Sequence, residues 1–264
     1  MASQLPSLFV SHGSPLMAIM ETPAHKFLAG LGAMFEKPSA LLCISAHWES
    51  ECPTVSTVSL PETIHDFGGF PDALYEMRYP APGAPDLAER VVALMAGADL
   101  PCDRDPGRGL DHGAWMPLLL GYPDADIPVT QLSIQPYLGP AHQFAVGQAL
   151  APLRDEGVLI FCSGSITHNL GDVFQRRSGG VPVDGPSPDW AVEFEAWVLD
   201  RVEGGRLHDI LNYQILAPHA AMAHPRDEHF LPLLTAAGAG GGAGHALHRS
   251  FEWGSLGMTT FAFD

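Results

Sequence analysis

The sequence predicts a single α/β domain with a parallel sheet at its centre. Short apolar runs without a polar face, at residues 8–10, 41–46 and 158–161, suit strands buried on both sides of a parallel sheet. Helical patterns separate these runs, the alternation of an α/β fold. No internal repeat divides the 264 residues. Length alone would allow two domains, but α/β folds of this size are often one.

Each element has a local reason. Residues 5–11 are the first expected strand. The turn His12-Gly13-Ser14-Pro15 closes it, with Ser14 placed to cap the next segment. Residues 24–35 read as a short amphipathic helix, and 40–46 as the second strand. The β-branched alternation of 54–59 predicts a third strand. Residues 61–85 hold Gly, Pro and aromatic side chains without periodicity, and a loop that long usually has a functional reason. Leu87, Val91, Leu94 and Met95, behind Pro85, predict a helix over 86–98. A short helix is expected after Asp111-His112-Gly113, as far as Leu120. A strand at 127–133, a helix at 140–153 and a strand at 158–162 come next. Residues 178–188 are a Gly- and Pro-rich loop. The next helix, 189–202, carries Trp190, Phe194 and Trp197 along one side, and 206–211 is another. Residues 219–229 read as a polar, histidine-bearing loop, and 230–237 as the start of a helix. Residues 238–244 are nearly all Gly and Ala. No strand precedes them and no Lys-Ser/Thr follows, so a phosphate loop is excluded and a flexible connector is expected. Two strands, 247–253 and 258–263, close the chain.

Composition bounds the function. Apolar residues make up 46% and charged residues 16%, a globular balance with much buried surface. A net charge of −17 leaves no basic footprint to neutralise phosphates, which argues against nucleic-acid and anionic-membrane partners. No apolar segment approaches the roughly 20 residues of a transmembrane helix. The start Met1-Ala2-Ser3-Gln4-Leu5-Pro6 lacks the pattern of a signal peptide. None of Cys43, Cys52, Cys102 and Cys162 forms a C-x-x-C pair. Cys43 and Cys162 lie inside apolar runs and are expected to be buried free thiols. That suits a reducing compartment, so the expected location is cytoplasmic.

Histidine is the unusual residue: there are 13, as many as Lys and Arg together. His12 and His47 stand just beyond the carboxyl ends of predicted strands, where α/β sheets bind ligands. His168 follows a third strand through Ser163-Gly164-Ser165-Ile166-Thr167. First-row metals bind imidazole well and gather ligands distant in sequence, so His12 and His47 are candidate metal ligands. A hydrogen-bonded structural role is the ordinary alternative for any lone histidine. For a third ligand, residues 219–229 offer His219, His224 and His229 beside Asp227 and Glu228. A solvated turn is the competing reading, although His229 runs directly into apolar Phe230-Leu231-Pro232-Leu233-Leu234. Asp111 either orients His112 or caps the next helix. His65 lies in the aromatic loop, where lining a pocket competes with plain packing. The G-x-S-x-G elbow of serine hydrolases and the H-E-x-x-H helix of zinc proteases are both absent. His25, His142, His208, His245 and His248 fall in helices or surface-like segments and receive no role.

Taken together, the motifs resemble those of the class III extradiol aromatic-ring-opening dioxygenases, in the 4,5-DOPA dioxygenase-like subgroup. The matching segments are His12-Gly13-Ser14-Pro15, Ser45-Ala46-His47-Trp48-Glu49, Thr63-Ile64-His65-Asp66-Phe67-Gly68-Gly69-Phe70, and Tyr79-Pro80-Ala81-Pro82-Gly83. They continue through Asp111-His112-Gly113, Tyr122 to Pro128, Gln131 to Ile134, Ser163 to Leu170, and Glu228-His229 with Leu231-Pro232-Leu233, in order over nearly the whole chain. The resemblance implies a central mixed, mostly parallel sheet flanked by helices. It also implies one divalent metal, usually Fe(II) and sometimes Zn(II) in isolated protein. Its ligands map onto His12, His47 and His229. Other class III enzymes use a carboxylate as third ligand, which leaves Glu228 as the alternative. The family's acid/base histidine maps onto His168 and a second pocket histidine onto His112. His65 and Phe67 are expected to shape an aromatic pocket for substrate. The implied reaction opens the ring of a catechol or aminophenol with O2, giving a semialdehyde. A zinc hydrolase and a non-catalytic metal-binding relative are the competing classes. For gripping a substrate carboxylate, Arg78, Arg104, Arg108 and Arg226 are the candidates.

Overall fold

The computed structural model describes residues 4–264; residues 1–3, on which part of the signal-peptide reading rests, lie outside the described residues. The chain opens with β1 (Ser7–Ser11), α1 (Pro23–Leu31), β2 (Ala40–Glu49) and β3 (Thr54–Ser56). Next come α2 (Asp72–Glu76), α3 (Pro85–Gly97), β4 (Asp103–Asp105), α4 (His112–Gly121), β5 (Val129–Ile134), α5 (Gly139–Leu150) and β6 (Val158–Gly164). The second half carries α6 (Leu170–Ser178), α7 (Asp189–Glu203), α8 (Leu207–Leu211), α9 (Tyr213–Leu216), α10 (Ala220–Ala223) and α11 (Leu231–Ala239). It closes with β7 (His245–His248), β8 (Phe251–Glu252), β9 (Leu256–Gly257) and β10 (Thr260–Phe263). Capping fixes several starts: Thr22 accepts from His25 N ahead of α1, Asp111 from Ala114 N ahead of α4, and Asn169 from Asp172 N ahead of α6.

Eight strands form one mixed sheet in the order β4-β3-β5-β2-β6-β1-β10-β7. The central four, β5, β2, β6 and β1, are mutually parallel, while β10 and β7 add antiparallel edges and β3 runs antiparallel to β5. Alternate residues of each central strand enter opposite cores, as a pleat of period two requires. Leu8, Val10, Leu41, Cys43, Leu159 and Phe161 pack on the face covered by α1 and α4. Phe9, Leu42, Ile44, Ile160 and Cys162 pack on the other, under α3, α5, α7 and α11. Burial on both faces explains why these strands read as continuous apolar runs.

Several segments differ from the sequence reading. α2 and α10 are short helices inside the expected loops 61–85 and 219–229, and β4 and α9 fall where the sequence predicts no element. Residues 170–178, for which the sequence likewise predicts no element, are α6. Its apolar residues Leu170, Val173 and Phe174 stand at helical spacing, but the stripe is short and only Val173 is buried, with Leu170 and Phe174 exposed beside the cavity. The Gly/Ala stretch is no connector over its first residues: Gly238 and Ala239 end the wholly buried α11. A Cβ at Gly238 would meet the Phe144 carbonyl at 2.2 Å, and one at Gly147 the Thr235 carbonyl at 2.1 Å. The two glycines let α5 and α11 cross at backbone contact.

Candidate metal centre and aromatic cavity

Strand order brings the predicted histidines together. β6 lies between β1 and β2, so the carboxyl ends of all three open at one place. His12 leaves β1 there, His47 lies at the end of β2, and His229 sits at the foot of α11. Close backbone approaches hold them in position. Ser165 N donates to the His229 carbonyl at 2.9 Å, and a Cβ at Gly164 would stand 2.2 Å from that oxygen. A Cβ at Gly113 would stand 2.9 Å from His47 Cδ2.

The three imidazoles point the same nitrogen inward. His47 Nε2 lies 3.0 Å from His12 Nε2 and 3.3 Å from His229 Nε2. Each outer nitrogen faces an oxygen. Ser163 gives its only proton to the Gly113 carbonyl, so its Oγ must accept from His12 Nδ1–H, 2.8 Å away. His229 Nδ1–H donates to Glu228 Oε1 at 3.0 Å, and His47 Nδ1 faces Asp66 Oδ2 at 3.5 Å. Three Nε2 lone pairs crowded together repel unless a cation lies between them. Outer nitrogens tied to oxygens are the usual support of metal-bound histidines. The donor set therefore fits one first-row divalent metal.

Both carboxylates serve two rings. Asp66 Oδ1 accepts from His112 Nδ1 at 3.0 Å and from His112 N at 2.9 Å, while its Oδ2 faces His47. Glu228 Oε1 holds His229 and lies 3.7 Å from His168 Nδ1. His168 stacks on His229 with ring centres 3.3 Å apart. Each acid thus joins one inner histidine to one of the two histidines expected to take part in chemistry. Burial, reinforced by the neighbouring imidazoles, holds His12 and His229 well below their ordinary pKa. The same causes bring His47 down to about 4 and His168 down to about 3. All four rings are neutral at pH 7, as metal ligands and proton acceptors must be. Burial works to raise Asp66, but its bonds to His112 prevail and hold it at about 2. Burial raises Glu228.

A cavity of about 250 Å³ opens over the cluster, walled by Phe67, Phe70, Phe174, Trp253 and Leu256 and floored by His12, His47, His112, His168 and His229. Phe67 therefore stands where the sequence reading put it. His65 does not line the cavity: it lies behind Phe67, bonded to the Met77 carbonyl and packed against Trp115. Asp111 caps α4 and ties Ser45, Gln131 and Arg108 together; the orienting partner of His112 is Asp66. Asp66 escapes sequence reasoning because it lies 46 residues from its histidine, although an acid inside an aromatic loop is itself a signal. The four candidate arginines are engaged elsewhere: Arg78 with backbone carbonyls, Arg104 with Glu89, Arg108 with Asp111 and Arg226 with Glu49. Trp48 stacks under Arg108, and Glu49 pairs with Arg226.

Three inward imidazoles, two at parallel strand ends and one at the foot of α11, lie beneath an aromatic-walled cavity and mark an α/β protein with a candidate metal centre. Residues 6–263 match the family model of the catalytic LigB subunit of aromatic ring-opening dioxygenase, and the chain belongs to that family. It is 45% identical to the 4,5-DOPA dioxygenase extradiol of Beta vulgaris, over 97% of this chain and 96% of that protein. It is 39% identical to the Escherichia coli K12 protein of the same name, over 90% and 86%. A crystal structure of an uncharacterized Escherichia coli K12 protein superposes with a TM-score of 0.77 at 32% identity, covering 98% of this chain and all of that one. The chain is an extradiol ring-cleaving dioxygenase, which sets aside the hydrolase and the non-catalytic reading. No helix among the described residues is long and apolar enough to cross a membrane.

Proposed function

We propose that the protein opens catechol-type rings with O2 at one Fe(II) held by His12, His47 and His229. The observation that carries this reading is the inward convergence of three Nε2 atoms whose opposite nitrogens all face oxygen partners. Glu228 stands behind His229 as its hydrogen-bond acceptor, which supports His229 over Glu228 as the third ligand. Three neutral ligands leave the centre more positive by one charge than a two-histidine, one-carboxylate set would. Fe(II) bound there supplies Lewis-acid polarisation of the catechol oxygens and electron transfer to O2. Zn(II) suits the same nitrogen donors and is expected in isolated protein.

The chain's own residues do the rest. The aromatic walls hold a flat ring and exclude water. His168 is the general base. Burial keeps it neutral, its Nδ1 side faces Glu228, and Nε2 remains for a catechol hydroxyl. A catecholate arriving beside it raises its basicity, so it keeps the proton until one is needed for O–O cleavage. His112, oriented by Asp66, is placed to donate or accept a hydrogen bond at a substrate or dioxygen oxygen. Phe67 forms part of the ring-binding wall, and His65 acts only by packing behind it. The names of the plant and bacterial relatives make DOPA the first substrate to try; an aminophenol is the second. The cytoplasm, expected from the free thiols Cys43 and Cys162, is the proposed location. Stripping metal, reconstituting with Fe(II) without oxygen, and then admitting O2 with a catechol panel tests the reading. Oxygen uptake with a yellow ring-opened product is expected. Uptake restored by Zn(II) as well as by Fe(II), or absent with every catechol, would refute it.

A further inference from the structure

Arg177 differs from every other arginine around the cavity. Its neighbour Arg176 is fully engaged: Nε donates to the Trp253 carbonyl at 2.8 Å, a second nitrogen donates to the Pro186 carbonyl, and Asp172 lies 4.0 Å away. Arg177 has no carboxylate and no hydrogen-bond acceptor among the described residues. Its guanidinium lies 4.8 Å over the centre of the Trp253 ring, inside the cavity lining. Apart from the histidines, the only other charged residue of that lining is Asp66, already engaged by His112. The platform is built with strain. Trp253 has φ of +47°, a conformation costly for a bulky side chain. Arg176, the Trp253 N–H bond to the Val183 carbonyl and Gly254, whose added Cβ would strike Pro186, hold it there. Such strain is typical of ligand-holding segments.

We infer that Arg177 is a specificity-determining residue that receives the carboxylate of a catechol substrate. Stacking on an indole fixes a guanidinium while leaving its hydrogen-bonding edge free, and that edge matches a carboxylate with two parallel bonds. α6 links the two ends of the site. It starts two residues after His168 and ends just after Arg177, and at about 1.5 Å per residue the seven steps from Leu170 to Arg177 rise roughly 10 Å along the axis. That spacing suits a carboxylate on a flexible side chain, removed from the diol, better than one attached to the ring. The inference rests on the catechol reading of the cavity.

The test compares dihydroxyphenylpropionate with propylcatechol, the same ring with and without a carboxylate, on the Fe(II)-loaded enzyme. Binding is read by titration without oxygen, and turnover separately with O2. Arg177→Met is expected to weaken binding, and raise KM, for the acid by roughly ten- to a hundredfold. It leaves kcat and the neutral catechol within about twofold, and Arg177→Lys falls between. Equal weakening of both catechols, or of neither, overturns the inference. Failure of the wild-type enzyme to turn over either catechol refutes the ring-opening reading instead, and the anaerobic titration still decides the role of Arg177.

Discussion

Replacing Ser163 with Ala removes one hydroxyl from the buried floor of the site. That hydroxyl donates to the Gly113 carbonyl and accepts from His12 Nδ1–H at 2.8 Å, and Ser163 and His12 are both buried. Two buried polar groups lose their partners, at about 1–3 kcal/mol each, so the metal-free chain should lose roughly 2–6 kcal/mol. A second loss depends on metal. Without its acceptor, His12 is free to change tautomer and to swing, and loss of such support typically weakens metal binding by about 10–100-fold. At saturating metal that subtracts a further 1.4–2.8 kcal/mol or so. Urea unfolding of the variant and the wild type, each metal-free and each with excess Zn(II) as a redox-inert probe, separates the two losses. The metal-induced stabilisation should shrink in the variant. If it is unchanged while the metal-free loss appears in full, Ser163 is a packing residue and His12 is no ligand.

The same geometry sets other outcomes. His168→Gln should lower turnover by about a hundredfold or more while metal content stays at one per chain; loss of metal, measured by elemental analysis, would make it a ligand. Gly113→Ala places a Cβ 2.5 Å from Ser45 Oγ and 2.9 Å from His47 Cδ2, so metal affinity should fall with little change in circular dichroism. Gly238→Ala drives a methyl into the Phe144 carbonyl and should lower stability by about 1–3 kcal/mol, with activity per folded molecule retained. His224, bonded to the Ile166 carbonyl, is lowered by burial from 6.5 to about 4. The unfolded chain therefore binds the extra proton between those values, and stability rises with pH across that window. Lowering pH from 6.5 to 4 should cost about 3 kcal/mol through this residue. In His224→Gln the slope of unfolding free energy against pH should flatten by that amount; an unchanged slope would mean that His224 is charged when folded.

Legibility followed locality. β1, β2 and β6 were readable because burial on both faces leaves a run of apolar residues, and the bounds differ only at their ends. α6 was not legible because its apolar stripe, Leu170, Val173 and Phe174, is short and faces the cavity more than the core. His65 and Phe67 stand two residues apart in one motif, yet only the fold sends Phe67 to the cavity and His65 behind it. Glu228 and His229 were alternatives in sequence. In the structure they are acceptor and donor of one hydrogen bond.

The sequence by itself determined the α/β class, the strand-end positions of His12, His47 and His168, and the family, because apolar runs and short motifs are local properties. Tertiary structure decided the inward nitrogens, the pairing of Asp66 with His112 and of Glu228 with His229 and His168, and the free guanidinium of Arg177 over Trp253. These depend on β6 inserting between β1 and β2, and on α6 and the Trp253 loop returning across the cavity. Apart from the adjacent Glu228 and His229, such contacts join residues 46 to 182 positions apart, and no pattern along the chain encodes which side-chain atoms will face each other.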